Sequence, residues 1–324
     1  MSHYRIHGLF TLRSPLSHIG ESLSTQTFLV QEPILQSDGT IEHVFCYNGN
    51  AWRGQLRDCA ASYFLDRMGN DGHARVPLDI FHLLFTGGRI GGAQSIDIDQ
   101  ARRIRAAIPM VSLWGGGVGN QIMAGKMRVS NAYPLVREAL PVLPERWHVD
   151  ARATTYADVT FDKSFTRTDD TKSEHLRQYL PPPESAGLLD GPRKTKSGAD
   201  VADQMRMTTE LVSPGTRLAT EIDVLDAKDV ELGALVSAIH YWSQSPHIGG
   251  QANKGHGKAK LDYRIIDMET GEDKDFINIT GDGPCLLSPM AQEAKDAYDQ
   301  HLRALYDHML EKNKDGIREM IGVV

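Results

Sequence analysis

Three short segments hold polar and glycine residues at spacings that could bind an anion. The first is Asn48-Gly49-Asn50-Ala51-Trp52-Arg53-Gly54-Gln55-Leu56-Arg57. Asn50 reads as the N-cap of a helix, whose first turn offers backbone N–H groups and the positive end of its dipole to a negative group. Arg53 and Arg57 stand four apart, so they share a helical face and could join that helix start in holding a phosphate. A surface helix with two solvated arginines, one of them paired with Asp58 or a neighbour, explains the same spacing.

The second segment is the loop Ser245–Lys258, where Gly249, Gly250, Gly255 and Gly257 let the backbone approach a ligand and present successive N–H groups. Gln251, Asn253, Lys254, His256 and Lys258 stand among those glycines and add side-chain donors. It is not a nucleotide-phosphate loop of the Gly-Lys-Ser/Thr kind, because Gly257-Lys258 leads into a strand rather than a helix. The alternative is a plain glycine-rich turn. The third segment, Leu12–Gly20, places Arg13 and His18 at the exit of a strand and is uninformative alone. Further along, Arg152, Lys163, Arg167 and Lys172 alternate with Tyr156, Phe161 and Phe165. That mixture suits a single-stranded nucleic acid through stacking and phosphate contact, and suits a charged exposed hairpin equally.

No catalytic constellation emerges. His18, His240, His247 and His256 have no carboxylate at a telling spacing, and neither H-E-x-x-H nor G-x-S-x-G occurs. Neither a metal site nor a cofactor is expected. The three cysteines, Cys46, Cys59 and Cys285, are odd in number and far apart, so they fit neither a disulfide framework nor a zinc site.

The elements that must position these segments follow from periodicity. Tyr4–Leu12 alternates as a half-buried strand, and further strands are predicted over Phe28–Leu35 and Ile41–Tyr47. A helix starts at Asn50 with Trp52, Leu56 and Tyr63 on its apolar side, and shorter ones are expected at Leu78–Phe85 and Asp97–Ala107. Met205–Leu211 and Leu218–Val224 alternate around Ser213-Pro214-Gly215 and predict a hairpin. Asp226 reads as the cap of a helix carrying Leu232, Leu235, Val236, Ile239 and Trp242. After the glycine loop come a strand over Lys258–Ile266 and a last amphipathic helix from Ser288 to about Lys312. The order strand, helix, strand, turn, strand, helix, strand is the ferredoxin-like plan of the RNA-recognition motif, in an α+β fold. Roughly 140 residues are inserted after the first helix.

The 324 residues carry a net charge of −7, which runs against phosphate binding. The distribution changes that reading. Residues 1–150 hold 14 Lys and Arg against 13 Asp and Glu, residues 151–262 hold 14 against 16, and residues 263–324 hold 7 against 13. The acidity is concentrated near the C-terminus, and the rest can present a local basic groove. No apolar run is long enough to span a membrane and no signal-peptide core opens the chain, so a cytoplasmic protein is expected.

Ser14–Gly20, Asn48–Arg57, and Pro214-Gly215-Thr216 through the helix to Ile248-Gly249-Gly250 and Gly255-His256-Gly257-Lys258, in this order, resemble the repeat-associated (RAMP) superfamily of CRISPR proteins. Chain length, the large insertion and the Trp114–Tyr133 segment are most similar to the backbone subunit of type IV effector complexes. The resemblance implies a palm split between residues 1–65 and 205–324, the latter ending in the C-terminal helix. It implies helical fingers over 66–150 and a β-hairpin thumb over 151–204. It implies several copies along one guide RNA (crRNA), other effector subunits including a helicase, and a target paired to the guide, DNA ahead of RNA.

Carried onto this chain, Asn50, Arg53, Arg57, Gly249, Gly250, Gln251, Asn253, Lys254, His256 and Lys258 would line the guide backbone, with Arg13 and His18 beside them. Type III relatives place a target-cleaving aspartate after the His-Ile-Gly element. Ser22–Leu29 here contains none, which argues for binding without cleavage. The rival readings are a guide-processing endoribonuclease using His18 or His256 as base, a type III-like target-cleaving subunit, and a metabolic enzyme whose glycine loop takes a nucleotide.

Overall fold

The computed structural model describes residues 2–69, 76–90, 97–166, 179 and 206–311. The first half contributes the strands β1 (Ser2–Leu12), β2 (Ile19–Leu23), β3 (Gln26–Leu29), β4 (Gln31–Leu35) and β5 (Ile41–Phe45), then helix α1 (Gly49–Gly69). Helices α2 (Leu78–Thr86), α3 (Ile98–Ala107) and α4 (Pro109–Trp114) follow, interleaved with the short strands β6 (Gly88–Ile90), β7 (Gly116–Gly119) and β8 (Gln121–Met123). Strands β9 (Met127–Val129) and β10 (Tyr133–Pro134) precede a run of 3-10 turns around the short helix α5 (His148–Ala151). The second half contains β11 (Thr160–Thr166), β12 (Arg206–Val212), β13 (Arg217–Ala227), α6 (Asp229–Trp242), β14 (Ala259–Asp267), β15 (Asp273–Ile279), β16 (Leu286–Leu287) and α7 (Pro289–Glu311).

The chain is thus a mixed α+β fold built on antiparallel pairing. Its main sheet runs β10-β13-β1-β14-β15-β16, with β9 also on β13. Strand β1 lies in the middle, Ile6 opposite both Ile222 and Ile265, and Phe10 opposite Leu218 and Leu261. Because strand side chains alternate, these residues form one buried face, on which α1 and α6 pack and α7 packs in turn. Phe10, Trp52 and Trp242 meet edge to face there, at 5.1 Å for Phe10–Trp52 and 5.2 Å for Trp52–Trp242. The Trp52 indole N–H donates to the Tyr263 hydroxyl at 3.1 Å, so the polar atom of a fully buried ring is satisfied.

Several expectations are corrected. Strands form at β12 and β13, but they do not pair as a hairpin: β12 joins β11 and β3 in a second sheet, ordered β11-β12-β3-β2, while β13 enters the main sheet beside β1. The turn at Ser213–Thr216 changes sheets because Leu12 captures its far end, the Leu12 amide donating to Thr216 O and its carbonyl accepting from Gly215 N, while Ser213 N stays with Val159 O beside the second sheet. The expected strand over Phe28–Leu35 is two strands, broken at Val30, whose N–H turns to His18 O. Asn50 does not cap α1. The helix begins at Gly49, and the Asn48 side chain accepts from the Asn50 amide at 2.8 Å. Likewise α6 begins at Asp229 rather than at Asp226, which holds a left-handed backbone with φ 54°, and Glu231 reaches back to the Lys228 amide at 2.9 Å. The three cysteines are free, Cys46 buried and the others half-buried. No described helix is long and apolar enough to cross a membrane.

Candidate nucleic-acid interface

The glycine loop is built against the segment that leaves β1. The Arg13 amide donates to Lys258 O at 2.7 Å, Gly257 N to Pro15 O at 2.8 Å, and Gly250 N to Ser17 O at 2.7 Å. On its other side the same segment bonds the end of β12, Leu16 N to Val212 O at 2.9 Å. Residues 13–17 are therefore a strip between the loop and the second sheet. Two glycines make the fit possible. Gly249 and Gly257 hold φ of 71° and 81°, and a Cβ would sit 2.5 Å from Ser17 O in one and 2.0 Å from Ile248 O in the other.

The base of the loop is tied to both core helices through one carbonyl. His247 O accepts from Gln55 Nε2 of α1 at 2.6 Å and from Trp242 Nε1 of α6 at 2.9 Å. The Tyr47 hydroxyl donates to Gln55 Oε1 at 3.3 Å and accepts from the Gly249 amide. His18 packs edge-on against Tyr47 with ring centroids 5.1 Å apart, and burial lowers its pKa. Segments as far apart in sequence as Ser14 and Lys258 thus converge on one edge of the molecule.

Side-chain charge at this edge is unbalanced. Arg13 pairs with Asp282, an exposed carboxylate that Lys258 and Lys260 also face, and that company lowers the Asp282 pKa. Strand β11 crosses the loop, so that Lys254 Nζ lies 5.0 Å from the centre of the Phe165 ring, a cation–π contact. His256 is only 6% exposed and its Nδ1 has no hydrogen-bond partner among the described residues. Burial, with Lys163 and Lys254 nearby, lowers its pKa. Lys163, Lys254 and Lys258 form no ion pair with any described carboxylate, whereas Asn253 and Lys254 stand exposed on the loop. Among the described residues no group of three or more His, Cys, Asp or Glu is placed to hold a metal.

No protein-family model matches this chain and no curated protein does. Its structure is similar to a chain of a solved Type IV-B CRISPR complex, with a TM-score of 0.54 over 81% of this chain and 90% of that one, at 17% sequence identity. The two share a fold. A type IV CRISPR likeness expected from three short motifs is therefore met at the level of the fold.

Within this type IV-like fold, the sequence-predicted residues divide. Arg13, His18, Gly249, Gly250, Gln251, Asn253, Lys254, His256 and Lys258 come together on the loop and the strip beneath it. The start of α1 joins them through Gln55, but its free N–H groups are already used. Gly49 N donates to Asn131 Oδ1 at 2.8 Å and Asn50 N to Asn48, leaving only the exposed Asn50 side chain available. Arg53 and Arg57 are half-buried and donate to Trp114 O and Gly115 O, the carbonyls that end α4. Desolvation, then the nearby Arg53, lowers the Arg57 pKa to about 10. Helix-end carbonyls attract cations, so these two arginines serve α4 in this arrangement. Lys163 and Phe165 reach the loop from β11, and Gln55 anchors it. The alternating arm pattern offered a signal for Lys163, but nothing in sequence pointed to Gln55.

The outer face of the main sheet is different in kind. Arg5 pairs with Asp223 at 2.8 Å, Arg217 with Asp150 at 3.0 Å, and Arg264 with Asp273 at 2.9 Å and with Asp275. These arginines are spent on carboxylates of neighbouring strands and of the short helix α5.

Proposed function

We propose that this chain is a non-catalytic guide-RNA-binding backbone subunit of a CRISPR effector complex. The reading is supported above all by the loop 247–258, where close backbone and unpaired cations share one edge with the strip 13–18. Glycines that bring N–H groups to the surface, with lysines in no ion pair with a described carboxylate, suit a phosphate backbone and carry no means of reading bases. In this reading the main sheet with α1 and α6 is an RNA-recognition-like palm (1–65 and 205–324), 66–150 the fingers, and 151–204 the thumb. Further copies of the chain, other effector subunits with a helicase among them, and a guide-paired target, DNA rather than RNA, complete the assembly. The Pro181–Gly198 stretch of that thumb lies outside the described residues.

Guide and target are both left uncut. Ser22–Leu29, where a target-cleaving aspartate would fall, forms the hairpin β2–β3 with Ser22 opposite Thr27. His256 is flanked by lysines, and no described carboxylate fixes its tautomer as a general base requires. The test is expression in bacteria followed by size-exclusion mass and the ratio of absorbance at 260 and 280 nm. RNA-loaded multimers are expected. Arg13→Ala with Lys258→Ala should then reduce the slope of log affinity against log salt by about 0.7 for each phosphate no longer neutralised. An RNA-free monomer, or an unchanged slope, would sink the reading. Cleavage of labelled guide that disappears in His256→Ala would replace it with the endoribonuclease.

A further inference from the structure

The glycine loop and β11 meet at a point that neither element could make alone. His256 is nearly enclosed, yet its Nδ1 has no partner among the described residues, an arrangement that costs free energy unless something else uses the ring. The charged groups that face it are Lys163 from β11 and Lys254 from its own loop. The other described segments packed there bring no acid: the strip supplies Pro15, whose carbonyl takes the Gly257 amide, and Leu16. Glu210 of β12 is turned to the Leu29 amide at 3.0 Å. Lys254 is further held over the Phe165 ring, which keeps its ammonium beside β11 instead of in open water.

Two ammonium groups beside an imidazole, with no carboxylate between them among the described residues, repel a third positive charge. An anion placed among them removes that repulsion and gives the ring a partner when it is protonated. We infer that Lys163, Lys254 and His256 form one phosphodiester site spanning β11 and the glycine loop, and that His256 takes up a proton when the site is filled. This rests on the guide-binding reading and adds to it a residue from the arm, a defined anion position and a linkage to pH.

The sign of the linkage follows directly. The free protein holds His256 below the ordinary imidazole range and a bound anion favours the charged ring, so affinity rises as pH falls from the bound ring's pKa towards the lowered one of the free protein, by at most about tenfold per pH unit for one proton. The experiment measures binding of a short oligouridylate to the full chain between pH 7.5 and 5.5, for the parent, His256→Gln and Lys163→Met. Selective carbon-13 labelling of histidine follows the His256 ring by NMR with and without the oligomer. The parent should bind more tightly at low pH, and the His256 titration should move upward on binding. His256→Gln should bind more weakly than the parent and show no acid gain, and Lys163→Met should weaken binding and shrink the upward movement. Oligouridylate binding whose pH dependence is the same in parent and His256→Gln, or a His256 titration unmoved by saturating oligomer, overturns this site while leaving RNA binding intact. Absence of any binding removes both.

Discussion

The outer face of the main sheet and the glycine-loop edge are both rich in Arg and Lys, and they are opposites in what those cations do. On the sheet, Arg5, Arg217 and Arg264 each meet a carboxylate at hydrogen-bond distance, the first and last across neighbouring strands and Arg217 on α5. At the loop, Lys163, Lys254 and Lys258 stand without such partners among the described residues, and Asp282 answers Arg13, Lys258 and Lys260. A count of positive residues would rank the two alike. What separates them is pairing, since a cation already bonded to a carboxylate has little field left for a phosphate. A third pair, Arg53 and Arg57, is spent in yet another way, on the carbonyls that end α4.

The contrast collapses most completely if the loop cannot form. Gly257→Ala puts a side chain at φ 81° with its Cβ 2.0 Å from Ile248 O, and strain plus overlap should cost about 2–4 kcal/mol. RNA affinity should fall at least tenfold in the fraction that stays folded, read by denaturant melts and fluorescence anisotropy. A smaller effect is expected from Arg57→Met, which strips the donor from Gly115 O and should destabilise by about 1–3 kcal/mol. Its salt slope for RNA should match the parent's. A reduced slope would return Arg57 to the groove.

Acid should separate the regions next. Burial lowers the pKa of His7 on the sheet and of His18 and His256 at the loop, so each binds protons more readily in the unfolded chain. Their contribution to stability is present above about pH 6.5 and is lost as pH falls through the lowered folded values. The melting temperature should therefore decline below pH 6.5, and His256→Gln should flatten that decline. Bound oligouridylate should flatten it too, by making protonation of His256 favourable. The smallest effect is expected from Arg5→Met. It removes a half-exposed pair worth about 0.2–1 kcal/mol and should leave RNA affinity and its salt dependence unchanged. A loss of affinity there would mean that the sheet face also meets the nucleic acid.

Local elements and the chemistry of the loop were legible in the sequence alone. Alternation at Tyr4–Leu12, the stripe Leu232–Trp242 and the four glycines of 249–257 are local signals, because period, side-chain size and backbone freedom act within a few residues. Sequence also pointed to Arg13, His18 and the loop donors, which lie together in the fold. The pairings and the fate of individual charges were set by long-range packing. Met205–Leu211 alternates like one arm of a hairpin whichever sheet receives it, and only the backbone of Leu12 directs the following turn to change sheets. Arg53 and Arg57 carry the same spacing whether they face a phosphate or a helix end, and the carbonyls of Trp114 and Gly115, about 60 residues away, settle it. The same holds for Lys163 beside His256, since a charge is defined by the groups around it and those groups come from distant parts of the chain.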